Sequence, residues 1–345
     1  MPSCETASLC ARLGTLFRAL VVTEELDRLF GTGPKSTHNN QLTILFCSCL
    51  GASPVAQLRI VSLNEMRLLA LILLSTLSPA AAEPRTVRFE SEDHKTKLIG
   101  YIFEPSTPGP HPAMVMLHGR AGPYSSLANG VYKASTLSKR HKQWGEFWAE
   151  RGYVALLVDS FGPRGYWEGF QRGSYDDRPP EVSEQMVRPL DAYGALKFLR
   201  SRKDVASDRV GVQGWSNGGM TVLATMSAKA PGFEGPAKET GFRAALAEYP
   251  GCGMDALKGK YQNYAPLLLM VAEADDEVSP KRCEDFAKRA NSNGNDLELI
   301  LYAGADHNFD DPGKKKQANP ANQAATADAM RRADKFFAKQ LGVDR

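Results

Sequence analysis

From about residue 85 to the C-terminus, apolar runs alternate with polar stretches punctuated by glycine. Arg85-Thr-Val-Arg-Phe89 and Lys97-Leu-Ile-Gly-Tyr-Ile-Phe103 alternate loosely on either side of the polar Ser91-Glu-Asp-His94. They predict an antiparallel hairpin or a pair of edge strands. Ala113-Met-Val-Met-Leu117, Tyr153-Val-Ala-Leu-Leu-Val-Asp159 and the segments 242–249, 266–273 and 297–302 are nearly continuous in apolar character. Strands covered by helices on both faces read this way. Helical spacing appears between them at about 144–151, 187–203, 220–229, 280–291 and 321–340, as with Leu190, Ala195, Leu196 and Leu199 on one face. Strand and helix alternate to the end, so the expected fold class is α/β, a doubly wound and mostly parallel sheet.

The first quarter of the chain breaks this pattern. Met66-Arg67 opens the run Leu68-Leu-Ala-Leu-Ile-Leu-Leu74, followed by Ser75-Thr-Leu-Ser-Pro79 and by Ala80-Ala-Ala82-Glu83-Pro84. One basic residue, a short hydrophobic segment and small residues at an A-x-A site make a secretory signal peptide, too short to span a bilayer comfortably. The division expected is therefore an extension over 1–65 that is not native or not ordered, a signal peptide over 66–82, and one folded domain over 83–345. Translation would start at Met66, and the product would be periplasmic or secreted. A genuine leader or an internal signal-anchor is the alternative, with a cytoplasmic location if the extension blocks export.

The 345 residues are 43% hydrophobic and 23% charged with a formal charge of +3, enough for one sizeable core. Near-neutral charge and the lack of a basic stripe interleaved with aromatics give no case for nucleic acid. No stable membrane insertion is expected after signal cleavage. Of six cysteines, Cys4, Cys10, Cys47 and Cys49 precede Met66, leaving Cys252 and Cys283 in the folded domain. An oxidising compartment favours a disulfide between those two, which follow neighbouring strand ends. Two free buried thiols are the alternative.

The candidate chemistry centres on Arg209-Val-Gly-Val-Gln-Gly-Trp-Ser-Asn-Gly-Gly-Met220. A serine between glycines at 214 and 218, after a strand and before a helix, is a nucleophile elbow. Ser216 would sit at its tip, beside a helix N-terminus suited to an oxyanion. His118-Gly-Arg-Ala-Gly122, at the end of an earlier strand, is placed to supply a second oxyanion donor. The two backbone N–H groups expected to do this are those of Arg120 and Asn217, with His118 orienting the loop rather than acting as base. Asp275, in Glu273-Ala-Asp-Asp-Glu-Val278, follows an apolar strand and can accept a proton from a histidine ring. Asp276 is the alternative for that role. His307 lies after the last strand and is the only histidine downstream of Ser216, which makes it the general base. The segment 161–178 mixes aromatics with Arg164, Arg172 and Arg178; Phe161, Arg164 and Trp167 are taken as substrate contacts for an apolar or carboxylate-bearing molecule. The alternative is a loop packed over the sheet edge with solvated arginines.

Gly-Trp-Ser-Asn-Gly-Gly, His-Gly-x-x-Gly, Asp-Ser-Phe-Gly-Pro-Arg-Gly, Tyr-Pro-Gly-Cys-Gly and Ala-Glu-Ala-Asp-Asp-Glu-Val occur in that order over roughly 85–341. Together they resemble the dienelactone hydrolase family. The resemblance implies an α/β-hydrolase fold of about eight strands, no metal and no organic cofactor, and Ser216, Asp275 and His307 as a triad. Family members proper use cysteine as nucleophile, whereas residue 216 is serine. That shifts the expectation from a dienelactone to small carboxylic esters, lactones or thioesters, cleaved through an acyl-serine. A serine peptidase or acyltransferase on the same triad, or a non-catalytic binding protein of this fold, are the other readings.

Overall fold

The computed structural model describes residues 83–231 and 235–343; the expected extension over 1–65 and signal peptide over 66–82 lie outside these residues. Eight strands form one sheet: β1 (Arg85–Glu90), β2 (Lys97–Phe103), β3 (His111–Leu117), β4 (Val154–Asp159), β5 (Val205–Trp215), β6 (Ala245–Glu248), β7 (Leu267–Ala272) and β8 (Leu297–Tyr302). Their order is β1-β2-β4-β3-β5-β6-β7-β8. β1 pairs antiparallel with β2, as the loose alternation of that hairpin predicts, and β2 also pairs antiparallel with β4. Every pairing from β4 to β8 is parallel.

The continuous apolar runs divide residue by residue between two cores, because side chains alternate across a sheet. Val115, Leu117, Leu156, Val158, Leu267 and Leu269 face one core; Met114, Met116, Ala155, Leu157, Leu268 and Met270 face the other. Helices α2 (Arg188–Arg200), α3 (Asn217–Thr225) and α4 (Pro280–Ser292) cover the first face. Helices α1 (Lys139–Glu150) and α5 (Pro320–Leu341) cover the second.

α1 begins five residues before the expected 144. Ser138 caps it by accepting from the His141 N–H, and its first turn is polar, so apolar periodicity marks only the buried half that starts at Trp144. Gly145 lets this helix press onto β2, since a Cβ there would overlap the Phe103 ring. α3 begins at Asn217, three residues before the apolar spacing shows, because Gly218 and Gly219 carry no side chain to register it.

Candidate active site

β5 ends at Trp215 and α3 begins at Asn217, so the whole reversal falls on Ser216, which sits at φ +52°, ψ −113°. Such a conformation persists only where its surroundings over-determine it. Here the Ser216 N–H donates to the Glu248 carbonyl of β6 at 2.9 Å. The two flanking glycines are required by the close approach: a Cβ on Gly218 would overlap the Leu117 carbonyl of β3, and one on Gly214 the Gly218 carbonyl.

The structure brings the three expected side chains together. His307, in the loop after β8, has Nδ1 2.7 Å from Asp275 Oδ2 and Nε2 2.9 Å from Ser216 Oγ. The acceptor-only carboxylate fixes the tautomer, so Nδ1–H donates to Asp275 and Nε2 accepts from the serine hydroxyl. Asp275 is itself held: its other oxygen accepts from the backbone N–H groups of Glu277 and Val278 at 2.8 and 2.9 Å. Asp276 takes no part, because its carboxylate pairs with Arg172 and is 70% exposed. Tyr249 packs edge-on to the His307 ring with centroids 5.0 Å apart.

The Gly119 loop lies directly against the elbow, the position of a Cβ on Gly119 being 3.4 Å from the Trp215 carbonyl. His118 orients it. Nδ1–H donates to the Gly119 carbonyl at 2.7 Å while Nε2 accepts the Ser160 N–H at 3.2 Å. Burial, helped by the Arg188 guanidinium, pushes the His118 pKa well below the ordinary histidine value and keeps the ring neutral. Arg120 follows this loop, and Asn217 opens α3, where the first N–H groups of a helix lack intrahelical partners.

A cavity of about 440 Å3 opens over Ser216 and Asn217. Arg120, Arg172, Tyr175, Arg178 and Arg282 line its polar side, with Met220, Met254 and Val278 on the apolar side. Arg120 is tied to Glu277 by two hydrogen bonds of 3.1 and 3.0 Å. Burial alone would raise the Glu277 carboxyl, but the Arg120 hydrogen bonds and the nearby His307 and Arg172 hold it below its ordinary value. Arg178 lies over the rings of Phe170 and Tyr175 and forms no ion pair among the described residues. Burial lowers its pKa, and Arg120 adds to the effect.

The three expected substrate contacts are corrected. Arg164 is only 6% exposed, and its guanidinium is committed to Asp191 by two 2.8 Å hydrogen bonds and to Asp93 by a third. Phe161 is buried against His118 and Phe170. Trp167 stacks on Tyr132, its ring filling the space that a side chain at Gly162 would need. None of the three lines the cavity; the later part of the same segment, 172–178, does. Cys252 and Cys283 are joined by a disulfide with Cα atoms 4.9 Å apart, which fastens the cavity-lining turn after β6 to α4. Among the described residues no group of three His, Cys, Asp or Glu side chains is placed to hold a metal ion.

A parallel sheet that presents a strained serine at the end of its central strand, with a histidine and an aspartate from later strand ends beside it, is the architecture of an α/β hydrolase. The dienelactone hydrolase family model matches residues 98–341, and the chain belongs to this family of carboxylic ester hydrolases. A Bradyrhizobium protein described as a 2-oxo-3-(5-oxofuran-2-ylidene)propanoate lactonase is 27% identical over 168 residues, 47% of this chain and 64% of that protein. A protein of Aquifex aeolicus described as a carboxymethylenebutenolidase is 24% identical over 231 residues, covering 64% of this chain and 85% of its own length. Among solved structures, a dienelactone hydrolase-like promiscuous phosphotriesterase from metagenomic libraries superposes with a TM-score of 0.55 at 19% identity, covering 76% of this chain and 99% of that one. Butyrate-bound esterase 2 of Thermogutta terrifontis gives 0.53 at 18% identity, covering 77% of this chain and 98% of that one. At those identities the likeness is one of fold.

Proposed function

We propose that this protein hydrolyses small carboxylic esters, lactones or thioesters, preferably anionic ones, through an acyl-Ser216 intermediate. The observation that carries this reading is the unbroken relay from Asp275 through His307 to the Ser216 hydroxyl, 2.7 and 2.9 Å per link. Ser216 Oγ attacks the substrate carbonyl as its proton passes to His307 Nε2. Asp275 stabilises the resulting imidazolium. The carbonyl oxygen takes up the negative charge between the backbone N–H groups of Arg120 and Asn217. His307 returns the proton to the leaving alkoxide, and a water activated by the same ring then releases the acid.

The preference for anionic substrates is supported by four arginines around the cavity, 120, 172, 178 and 282, against two carboxylates, Asp176 and Glu277. Arg120 and Arg172 are paired with Glu277 and Asp276, whereas Arg178 and Arg282 form no ion pair among the described residues and present ready forks to a carboxylate. We also place its action outside the cytoplasm; the signal-like stretch beginning at Met66 and the Cys252–Cys283 bond support that placement.

The test is fluorophosphonate labelling and hydrolysis of p-nitrophenyl butyrate by the purified protein and by Ser216→Ala. Labelling lost in the variant, with kcat lower by roughly 10⁶, is the expected result. Turnover that survives Ser216→Ala would reject the reading. A panel of esters, lactones, thioesters and aminoacyl amides, each with and without a free carboxylate, assigns the leaving group.

A further inference from the structure

Arg188 is the first residue of α2, and its side chain is wholly buried beneath the elbow. One Nη donates to the side-chain oxygen of Asn217, and the other to the His118 carbonyl at 2.8 Å. These two contacts fall on the two chain segments that carry the proposed oxyanion donors. His118 is the carbonyl side of the loop leading to the Arg120 N–H, and Asn217 bears the other N–H. The Asn217 amide is held from its opposite end, donating through Nδ2 to Glu184 Oε2 at 3.2 Å.

The guanidinium is under-compensated for so buried a cation. No carboxylate is in ion-pair contact with it among the described residues. Those that act on it through space, Asp191, Glu184 and Asp159, have their oxygens engaged elsewhere, Asp191 by Arg164, Glu184 by Tyr175 and Asn217, and Asp159 by Tyr124 and the Phe161 and Gly162 N–H groups. Its Nε is buried without a hydrogen-bond partner, and the Phe161 ring lies 5.0 Å from its centre. Burial lowers its pKa to about 10, which leaves it charged at neutral pH. A buried cation without a direct counter-ion is expensive. Its charge lies behind the two chain segments that carry the proposed oxyanion donors, without itself lining the cavity.

We propose that Arg188 is a positioning residue for acyl transfer. It clamps the Gly119–Arg120 loop to Asn217 so that the two backbone donors converge, and it lends the pair a positive field. The inference rests on the acyl-serine reading above. It assigns to one side chain the preorganisation on which stabilisation of a tetrahedral oxyanion depends.

The experiment compares Arg188→Met, Arg188→Lys and Asn217→Ala with the unaltered full chain, using p-nitrophenyl butyrate and the rate of fluorophosphonate labelling. Circular dichroism screens each variant for folding. Arg188→Met should lower kcat by on the order of 100-fold with KM within about twofold, and labelling should slow in parallel. Arg188→Lys, which keeps the charge but reaches only one partner, should fall between. Folded Arg188→Met with kcat within about threefold of the parent, or with a raised KM and unchanged kcat, overturns the proposal. Should Arg188→Met not fold, Asn217→Ala decides: it removes one anchor of the clamp and keeps the backbone N–H. A fall in kcat of about tenfold at constant KM is then expected, and an unchanged kcat overturns the proposal. Failure of the underlying reading looks different, because the parent protein itself would then show no Ser216-dependent turnover, and this inference would fall with it.

Discussion

Reducing the Cys252–Cys283 bond should cost the folded domain several kcal/mol. The two cysteines are 31 positions apart, and the loop they close contains β7 and Asp275. The loop-closure relation for that separation gives an entropy of about −12 cal/mol/K in the unfolded chain, or about 3.7 kcal/mol at 25 °C. The folded state adds little to this cost on reduction, since the freed Cys283 thiol has the Pro250 carbonyl 3.2 Å away as an acceptor. For a domain of this size the change corresponds to a fall in Tm of roughly 7 to 15 °C. Urea unfolding of the oxidised protein, of the reduced protein and of the Cys252→Ala, Cys283→Ala double variant measures it by linear extrapolation. The same samples should show KM rising more than kcat falls, because the bond fastens the turn that carries Gly253 and Met254 into the cavity and leaves the Ser216–His307 contact alone. Oxidised and reduced forms agreeing within about 1 kcal/mol would refute the entropic account for this loop.

Two further outcomes follow from the geometry. Asp275→Asn should leave the fold intact and lower kcat by about 10⁴, because the amide can present an N–H to His307 Nδ1 and favour the wrong tautomer; steady-state kinetics against an unchanged melting curve checks it. Glu248, at the end of β6, is buried, and burial together with the nearby Asp310 raises its carboxyl well above the ordinary 4.5. The unfolded chain loses this proton above about pH 4.5 while the folded one keeps it, so the group's contribution to stability falls as pH rises, by up to about 1.4 kcal/mol per unit. Glu248→Gln, which keeps the acceptor for Gln213, should therefore melt higher than the parent at pH 8 and no higher at pH 4.5. Melting curves that stay parallel across that range would show Glu248 to be uninvolved.

The fold was legible because apolar runs and glycines report backbone demands directly. Gly214 and Gly218 are glycine because a neighbouring carbonyl occupies the space of a side chain, and that constraint is local enough to leave a spacing in the sequence. The grouping of Ser216, Asp275 and His307 was legible for a different reason: each sits just past a strand, and a parallel sheet brings such ends to one edge. Charged side chains in the loop after β4 were not legible. Arg164 and Arg178 stand in the same aromatic stretch, yet one is spent on Asp93 and Asp191, well away in the chain, and the other faces the cavity. Nothing in the spacing of either separates a committed guanidinium from an available one. Arg188 was missed for the same reason. It opens an ordinary amphipathic helix, and only the distances to His118 and Asn217 set it apart.

The left-handed backbone at Ser216 carries a consequence for how the protein comes to life. In an extended or half-assembled chain this residue is an ordinary seryl hydroxyl, relaxed and no more acidic than any other. Its reactivity arrives only once β6 has docked beside β5 and offered the Glu248 carbonyl, and once β3 has filled the space under Gly218. A covalent phosphonate tag therefore counts native molecules, and a nascent or misfolded copy stays chemically mute.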